Sequence, residues 1–404
     1  MAPFTDPFTG PHSGPLTKRR YFDWAATAMP DPAGDSASLP APFGNPSSIH
    51  AEGKAARRAL EEARSRCAGA LGVKAEELFF TSGGTESNAI VLFSLLCKPR
   101  GSAALLYSAA EHPSIRENAA ALEQTGVPCA AIGVEADGRV SEAALERALA
   151  KKPAARMAAI MAVNNETGAI NDMRALSALL RSRQDKGFPP VHLHCDAVQA
   201  AGKIPLDLYG WGIDSASVSA HKLGGSRDIG LLWLKSPIIP LLRGGGQEKN
   251  IRPGTENTQG AADLARALEK YAAALPSLHR EAAERMKALI VALRNTASFI
   301  PIPADRKDDD SRFSPWILQG AFRNSSGKII PGEVIVRALD ERGFALSTGS
   351  ACSSAQREKR PVLDAMGLDR ETSLGGVRIS QGWPTTMEDI EALAEAVGVL
   401  CGTL

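Results

Sequence analysis

A lysine with surroundings suited to covalent cofactor chemistry stands at position 222. The segment Ser217–Gly225 places Lys222 directly after an apolar stretch typical of a buried strand and before two glycines typical of a turn. Open α/β sheets bind ligands at strand ends, and a lysine held there can form a Schiff base with a carbonyl cofactor. Taken alone, the segment favours a surface lysine in a turn. The choice between this interpretation and a cofactor site therefore depends on other segments of the sequence.

A second segment, Thr81–Asn88, has the composition of a phosphate-binding turn. It joins a predicted strand to a predicted helix through two glycines, with hydroxyl side chains at the start of the helix. Free backbone N–H groups and the helix dipole attract a phosphate group to such a start. An ordinary capped helix has the same residues, so this motif by itself is weak.

Three further polar residues follow predicted strands. A carboxylate such as Asp196, held against a pyridine nitrogen, keeps that nitrogen protonated and makes the ring an electron sink. His112 could stack on a cofactor face, and Asn164 or Asn165 could donate to a ring hydroxyl. The plain alternatives are a helix cap for Asp196, a loop position for His112 and turn formers for the asparagines.

These candidates share one position in the predicted fold, the C-terminal ends of strands in a single sheet. Such ends lie at the same edge of a parallel sheet, which is where doubly wound proteins bind ligands. The convergence therefore predicts a ring-shaped cofactor with a phosphate tail.

A cysteine lies in a loop of small residues, Ser347–Ala355. Such a loop can carry the thiol of Cys352 to a substrate and away again. Attack of this thiol on a substrate sulfur would leave a persulfide on the enzyme, which is a form of nucleophilic catalysis. For an isolated cysteine, a structural position in a tight loop is the favoured alternative.

The elements that must position these residues follow an alternating pattern. Between about residues 55 and 235, short apolar runs alternate with helix-periodic segments, which predicts βαβ units with the sheet covered on both faces. The predicted strands are Leu78–Thr81, Ala103–Ser108, Cys129–Val134, Met157–Val163, Val191–Asp196, Ala216–Ser219 and Ile229–Leu234. The predicted helices are Lys54–Leu71, Glu86–Leu96, Ser114–Thr125, Ser141–Ala150 and Met173–Lys186.

Length and pattern predict more than one domain. A chain of 404 residues exceeds what one hydrophobic core usually organises. We expect an N-terminal extension over residues 1–20, a large α/β domain over 21–270 and a smaller α+β domain over 271–404 that carries the cysteine loop. A long helical stretch, about residues 261–296, connects the two domains.

Composition excludes several classes of partner. The formal net charge is +1, so no global field attracts nucleic acid or a membrane surface. The six cysteines form no CxxC pair and no metal-ligand spacing, so we expect no metal site. Free thiols suit a reducing compartment, which predicts a cytoplasmic protein. No apolar run is long enough to span a bilayer.

With both segments in view, the sequence resembles the cysteine desulfurases of the class V aminotransferase group, the NifS-like and IscS-like enzymes. The resemblance covers about nine-tenths of the chain. It is carried by Tyr21–Asp23, Phe43–Ser48, Thr81–Asn88, Val163–Glu166, Asp196–Gln199, Ser219–Lys222, Gly244–Glu248, Arg252–Asn257, the cysteine loop and Arg378.

The resemblance implies a pyridoxal-phosphate-dependent transferase of fold type I, similar to aspartate aminotransferase. Lys222 would bind the cofactor covalently, Asp196 would pair with its ring nitrogen, and His112 would stack on the ring. The phosphate would be held by Gly84, Thr85, Ser219 and His221, with Thr255 reaching it from the other subunit of a homodimer. Gln199 would contact the ring oxygen, Asn164 and Arg378 would bind the substrate carboxylate, and Cys352 would carry the persulfide.

The implied reaction converts L-cysteine to L-alanine and passes sulfur to an acceptor protein for iron–sulfur clusters or another thio-cofactor. Two rivals stay open on the residues alone. One is a selenocysteine lyase or related β-lyase in which Cys352 is incidental, and the other is a cofactor-binding relic that acts as a scaffold. Neither the acceptor nor the preference between cysteine and selenocysteine can be read from the sequence.

Overall fold

The computed structural model describes residues 19–30, 41–99, 103–296, 298–349 and 359–403. Cys352 lies outside the described residues, as does nearly all of the predicted extension over residues 1–20. Among the described residues, no helix combines the length and the apolar character needed to cross a bilayer.

The described chain contains thirteen strands and ten α-helices. The strands are β1 (Arg20–Tyr21), β2 (Leu78–Thr81), β3 (Ala104–Ser108), β4 (Cys129–Ile132), β5 (Ala155–Ala159), β6 (His192–Asp196), β7 (Ser215–Ser219), β8 (Gly230–Leu234), β9 (Phe299–Ile302), β10 (Ile317–Arg323), β11 (Ile329–Ile330), β12 (Phe344–Ala345) and β13 (Val377–Ser380). The helices are α1 (Ala51–Leu71), α2 (Gly84–Phe93), α3 (Pro113–Gln124), α4 (Glu142–Lys151), α5 (Met173–Asp185), α6 (Thr258–Asn295), α7 (Gly332–Asp340), α8 (Pro361–Ala365), α9 (Arg370–Leu374) and α10 (Met387–Thr403).

A seven-stranded sheet forms the larger unit, in the order β2-β8-β7-β6-β5-β3-β4. Strands β7, β6, β5, β3 and β4 are parallel to one another, whereas β8 is antiparallel to both β7 and β2. The sheet is therefore mostly parallel, as the alternating sequence pattern predicts. Buried side chains cover both of its faces because helices pack on each side.

The helices of this unit begin where the sequence supplies capping groups. Helix α3 starts after His112 with Pro113 in its first turn, and helix α4 starts after Ser141, whose hydroxyl accepts from the backbone N–H of Ala144. Helix α1 ends at Gly72, which has a left-handed backbone with φ of 66°. Local capping and apolar periodicity explain why the predicted helices lie close to the observed ones.

One predicted strand is displaced. The apolar run Met157–Val163 predicts a strand over its whole length, but β5 ends at Ala159. The backbone N–H groups of Ile160 and Ala162 still donate to carbonyls of β6, at 3.0 Å each. The chain therefore stays beside β6 beyond its formal end, which carries the residues after Val163 to the sheet edge.

The smaller unit is built on a second sheet, in which β10 pairs antiparallel with β9, β11 and β13. Helix α6 connects the two units, because residues 261–271 lie in the core of the large sheet and residues 286–293 in the core of the small one. The N-terminal strand β1 pairs with β12, and Phe22 packs into the smaller core. The domain boundary near residue 270 stays a prediction.

A buried ion pair joins helix α1 to the loop before α6. The guanidinium nitrogens Nη1 and Nη2 of Arg64 donate to the two carboxylate oxygens of Glu248, at 2.7 Å each. The backbone N–H of Phe80 also donates to Glu248, at 2.8 Å. Both ionic side chains are at most 5% exposed, so neither charge could be solvated if the other were removed.

We expect Glu248→Gln to reduce the free energy of unfolding by about 3–5 kcal/mol, because the Arg64 charge would lose its buried counterion and keep only the exposed carboxylate of Glu61. Urea unfolding followed by circular dichroism measures the loss. The control is Glu269→Gln, which breaks the half-exposed pair between Glu269 of α6 and Arg66 of α1. That change should cost less than about 1 kcal/mol, and equal losses from the two variants would contradict the prediction.

Candidate active site

A cavity of about 320 Å³ opens at the C-terminal ends of β6 and β7, between the two units. Ten of the residues singled out in the sequence lie in its wall: Gly84, Thr85, His112, Asn165, Asp196, Gln199, Ser219, His221, Lys222 and Arg378. They come from segments far apart in sequence, so the parallel strand order is what brings them together.

Lys222 lies three residues after the end of β7. Its ammonium nitrogen Nζ donates to the backbone carbonyls of Ala25 and Ala26, at 2.7 and 2.6 Å. The N-terminal segment is held in this position because the backbone N–H of Ala28 donates to the carbonyl of His221, at 2.9 Å. Lys222 is therefore fixed against the cavity wall by groups that only accept hydrogen bonds.

Asp196 is the last residue of β6 and is 7% exposed. Its Oδ1 accepts from the backbone N–H of Val198 at 3.0 Å, and its Oδ2 accepts from the side-chain amide of Asn88 at 2.8 Å. Two donors suit an ionised carboxylate. The group is thus prepared to face a protonated ring nitrogen.

His112 caps the N-terminus of helix α3. Its Nδ1 lies 2.9 Å from the hydroxyl of Ser114 and 3.1 Å from the backbone N–H of the same residue. Burial lowers the pKa of His112, and the positive charges of Lys222 and Arg116 act in the same direction, whereas Asp196 opposes them. A neutral imidazole is therefore expected in the cavity wall at neutral pH.

The start of helix α2 forms an anion cradle. A Cβ added at Gly84 would lie 2.6 Å from Cγ2 of Val198, so only glycine leaves the backbone N–H groups accessible at this point. Ser219 and His221 line the same part of the cavity. Burial, and next the charge of Lys222, lower the pKa of His221 to about 4, so His221 is a neutral hydrogen-bonding group here.

The side-chain amide of Gln199 is held by one backbone partner and one side-chain partner. Its Nε2 donates to the carbonyl of Ala25 at 2.8 Å, and its Oε1 accepts from Nζ of Lys203 at 2.6 Å. Lys203 is 8% exposed, and burial is the main reason that its pKa falls to about 7. The amide orientation of Gln199 is fixed because the backbone carbonyl of Ala25 can only accept, so Nε2 must face it.

Arg378, on strand β13, closes the cavity from the smaller unit. Its Nη2 lies 2.7 Å from Oδ1 of Asp23, and its Nη1 donates to the carbonyl of Asn165 at 2.9 Å. Its Nε is buried without a hydrogen-bond partner among the described residues, as are Oδ1 of Asn165 and Oε2 of Glu166. A polar ligand bound at this place in the cavity would supply hydrogen-bond partners for these three atoms.

Two predicted site residues lie elsewhere. Nδ2 of Asn164 donates to the carbonyl of Ala110, and its Oδ1 accepts from the backbone N–H groups of Glu166 and Thr167. The hydrogen bonds of this side chain therefore stabilise the loop that contains it. Its neighbour Asn165 lines the cavity instead. Thr255 is exposed and lies outside the cavity wall of its own chain.

Cys352 lies outside the described residues, so its position relative to the cavity stays a prediction. Gly349, the last residue described before it, is in the cavity wall. A Cβ at Gly349 would lie 2.7 Å from Oε2 of Glu166, and its φ of 108° also favours glycine. The last described residue before the cysteine loop therefore lies at the cavity.

Sequence reasoning missed Glu166, Ala25 and the buried partners Asn88 and Ser114. The backbone carbonyl of Ala25 gives no sequence signal. Glu166 and Asn88 each belong to a segment quoted for the family resemblance, and Asn88 stands one helical turn after Gly84, on the side that faces the sheet. A helical projection of Thr81–Asn88 would have indicated Asn88.

Comparison with known proteins identifies the family. The sequence profile for aminotransferase class-V matches residues 20–393. A cysteine desulfurase IscS from Dictyoglomus turgidum is 35% identical over 391 residues, which is 93% of this chain and 92% of the relative. A cysteine desulfurase from Cereibacter sphaeroides is also 35% identical, over 94% of this chain and 95% of the relative.

Solved structures agree with the sequence relatives. A NifS-like protein superposes with a TM-score of 0.83 at 29% identity and covers 96% of this chain and 100% of its own. A structure of SspA in complex with cysteine superposes with a TM-score of 0.74 at 27% identity, covering 89% of this chain and 98% of its own.

The chain therefore belongs to the class V aminotransferase family. The relatives described above are cysteine desulfurases, which are similar to this chain over nearly its whole length. The predicted fold class is confirmed by the NifS-like structure, with a large, mostly parallel sheet and a smaller unit.

The family implies a pyridoxal phosphate cofactor, and the residues present fit that group. Lys222 offers an amine at the cavity, and Asp196 offers a carboxylate with two hydrogen-bond donors behind it. The N-terminus of α2 is kept open by Gly84, which suits a phosphate tail.

We expect Gly84→Ala to weaken pyridoxal phosphate binding roughly tenfold to a hundredfold. The added methyl group collides with Val198, and overpacking of this kind costs about 1–3 kcal/mol. Absorbance titration of the cofactor-free protein measures the affinity.

The double variant Gly84→Ala, Val198→Ala should recover most of the affinity, because it removes the colliding methyl group. Gly69→Ala serves as the control, since a Cβ at Gly69 on helix α1 meets no atom within 4 Å. Unchanged affinity in Gly84→Ala would exclude the proposed cradle.

Proposed function

We propose that this protein is a cysteine desulfurase, which converts L-cysteine to L-alanine and holds the released sulfur as a persulfide on Cys352. One observation carries the proposal. A single cavity contains a lysine, a carboxylate held by two donors, an open helix N-terminus and a buried arginine, and Gly349, three positions before Cys352 in the sequence, lines it. The full-length relatives named cysteine desulfurase support it.

Each residue of the wall has a proposed role toward the cofactor. Lys222 would bind its carbonyl carbon, Asp196 would hold the proton on the ring nitrogen, and His112 would lie against the ring. The phosphate would be held by Gly84, Thr85, Ser219 and His221, and the ring oxygen by Gln199. Pyridoxal phosphate, when bound, supplies the electron sink that makes Cα of the substrate acidic.

The substrate carboxylate belongs beside Arg378. The planar guanidinium presents several donors, of which two are already bonded to Asp23 and Asn165, so its orientation is fixed before substrate binds. Nε remains available in the buried wall. Asn164 acts by shaping the loop that carries Asn165, rather than by direct contact.

Proton movement falls to Lys222. With pyridoxal phosphate and substrate bound, the amine of Lys222 would lie within the same cavity and would be placed to take the proton from Cα. A neutral amine is the form that accepts this proton. The backbone carbonyls of Ala25 and Ala26 receive the ammonium form afterwards, as they do in the described structure.

Sulfur transfer is a displacement at the substrate sulfur. The thiolate of Cys352 attacks that sulfur and forms a sulfur–sulfur bond, while the bond between sulfur and Cβ breaks. The electron pair of the broken bond stays with Cβ, which takes up a proton and becomes the methyl group of alanine. The enzyme retains the sulfur atom as a persulfide for an acceptor protein.

The assembly and the location are also proposals. Thr255 is exposed outside its own cavity, which suits a homodimer in which it reaches the phosphate of the second subunit. Phe43 and Ile49 are 93% and 87% exposed, which supports a contact between copies. The five described cysteines are free thiols, as expected for a cytoplasmic protein.

We expect Cys352→Ala to abolish sulfide release from L-cysteine, because the attacking thiol is removed. Mass spectrometry of the wild-type protein after incubation with cysteine should find one added sulfur atom on the Cys352 peptide. The matched control is Cys97→Ala, which removes a free, partly exposed thiol from another part of the chain. Added sulfur on a different cysteine, or full sulfide release by Cys352→Ala, would contradict the proposal.

We expect Arg378→Lys to lower kcat/KM for cysteine roughly tenfold to a hundredfold. An ammonium group cannot keep the contacts to Asp23 and Asn165 and also bind the substrate, and a hydrogen bond to a charged group contributes about 1.5–3 kcal/mol. Steady-state kinetics measure the change. Arg337→Lys, at an exposed ion pair on α7, is the control and should leave kcat/KM unchanged.

A further inference from the structure

Asn88 is the one described residue that is bonded to both the Asp196 carboxylate and the partner of His112. It lies on helix α2 and is fully buried. Its Nδ2 donates to Oδ2 of Asp196 and to Oγ of Ser114, at 2.8 Å each. Its Oδ1 lies 2.8 Å from Nε2 of His194. One amide therefore connects two side chains of the cavity wall.

The orientation of this amide follows from its partners. An ionised carboxylate only accepts hydrogen bonds, so the NH₂ group of Asn88 faces Asp196. The carbonyl oxygen then faces His194, and because an amide oxygen only accepts, Nε2 of His194 must carry a proton. The hydroxyl of Ser217 lies 3.5 Å from this nitrogen, which is too long to compete.

His194 is neutral, and its one ring proton fixes the donor and acceptor roles of the hydrogen bonds beyond it. Complete burial, reinforced by His192, lowers the pKa of His194 to about 3. With its proton on Nε2, Nδ1 accepts from the hydroxyl of Ser215, at 2.7 Å. Ser215 in turn accepts from Nε2 of His192, also at 2.7 Å. Every donor in this series of hydrogen bonds, from His192 to His194, points toward Asn88.

The same logic extends to His112. The hydroxyl oxygen of Ser114 accepts a hydrogen bond from Asn88, so its own proton is directed to Nδ1 of His112, 2.9 Å away. The backbone N–H of Ser114 points to that nitrogen as well. Nδ1 is thus surrounded by donors and cannot carry a proton. A neutral His112 must hold its proton on Nε2.

We propose that Asn88 is a positioning residue that sets the hydrogen positions of the site, donating to the Asp196 carboxylate and, through the hydroxyl of Ser114, favouring the Nε2–H form of His112. The consequence for catalysis rests on the proposed function. His112 can donate from Nε2 to a group in the cavity, and it cannot act there as a base without first losing that proton.

The charged groups around His112 come from four elements. Asp196 of β6 favours a charged imidazole, whereas burial, Lys222 after β7, Arg116 of α3 and Arg378 of β13 disfavour it. A second carboxylate at position 88 would alter this balance. It would also turn the hydroxyl proton of Ser114 away from His112, because a carboxylate only accepts.

The test uses the full chain labelled with ¹⁵N-histidine, without substrate, and assigns the His112 nitrogens by NMR across a pH titration. We expect the wild-type protein to hold the proton of His112 on Nε2. In Asn88→Asp, we expect a population with a protonated Nδ1 and a titration midpoint raised by roughly one pH unit or more.

Two variants keep the test interpretable if Asn88→Asp folds poorly. Ser114→Ala removes the hydroxyl donor to Nδ1 of His112 and keeps the backbone N–H donor, so it should weaken the preference for the Nε2–H form while pyridoxal phosphate affinity stays unchanged. Asn88→Ala should disturb both the His112 tautomer and the cofactor affinity, because Asp196 also loses a donor.

Ser87→Ala is the control for losing a buried hydroxyl on the same helix, since Ser87 bonds to Thr81 and to the carbonyl of Leu231. It should leave the His112 tautomer unaltered. If Asn88→Ala and Asn88→Asp both retain the wild-type tautomer and midpoint, the proposal is wrong. The tautomer is read without turnover, so loss of the desulfurase proposal would leave this result standing.

Discussion

The reversed strand β8 is the constraint on which the site depends. It pairs antiparallel with both β2 and β7, so these two strands run in the same direction and end at the same edge. In this register, Thr81 and Ser219 both lie beside Gly230. A Cβ at Gly230 would lie 2.6 Å from Cα of Gly83, so the glycine allows the start of helix α2 to approach the Lys222 turn. The anion cradle and the lysine meet because of this packing.

A second connection joins the two units across the cavity. The backbone carbonyl of Phe22 accepts from the N–H of Ser380 at 2.8 Å, and Asp23 pairs with Arg378. Two residues later, Ala25 accepts from Lys222 and Gln199 of the large unit. The segment from Phe22 to Ala26 therefore fixes the arginine of one unit relative to the lysine of the other. Small movements between the units would be transmitted to both groups.

Much of this arrangement could be predicted from the sequence, for identifiable reasons. Lys222 and Asp196 follow apolar runs, and the edge of a parallel sheet then places them together. The direction of β8 could not be read, because its apolar run fits either orientation. The choice between Asn164 and Asn165 depends on a loop closed by hydrogen bonds to Glu166 and Thr167, which periodicity does not describe. Cys352 was indicated by resemblance, and the structure does not describe it.

Two buried carboxyl groups differ in the hydrogen-bond donors that they accept from. This difference explains why Asp196, and not the nearby Glu111, is suited to the cofactor. Glu111 is 1% exposed and accepts one hydrogen bond, from the backbone N–H of Met161, while its Oε2 has no partner among the described residues. Burial, and next the charge of Asp196, raise the pKa of Glu111 well above its usual value. Asp196 accepts donors at both oxygens, from Val198 and Asn88. Both oxygens of the carboxylate that faces the cavity are thus held by donors, whereas one oxygen of Glu111 is not.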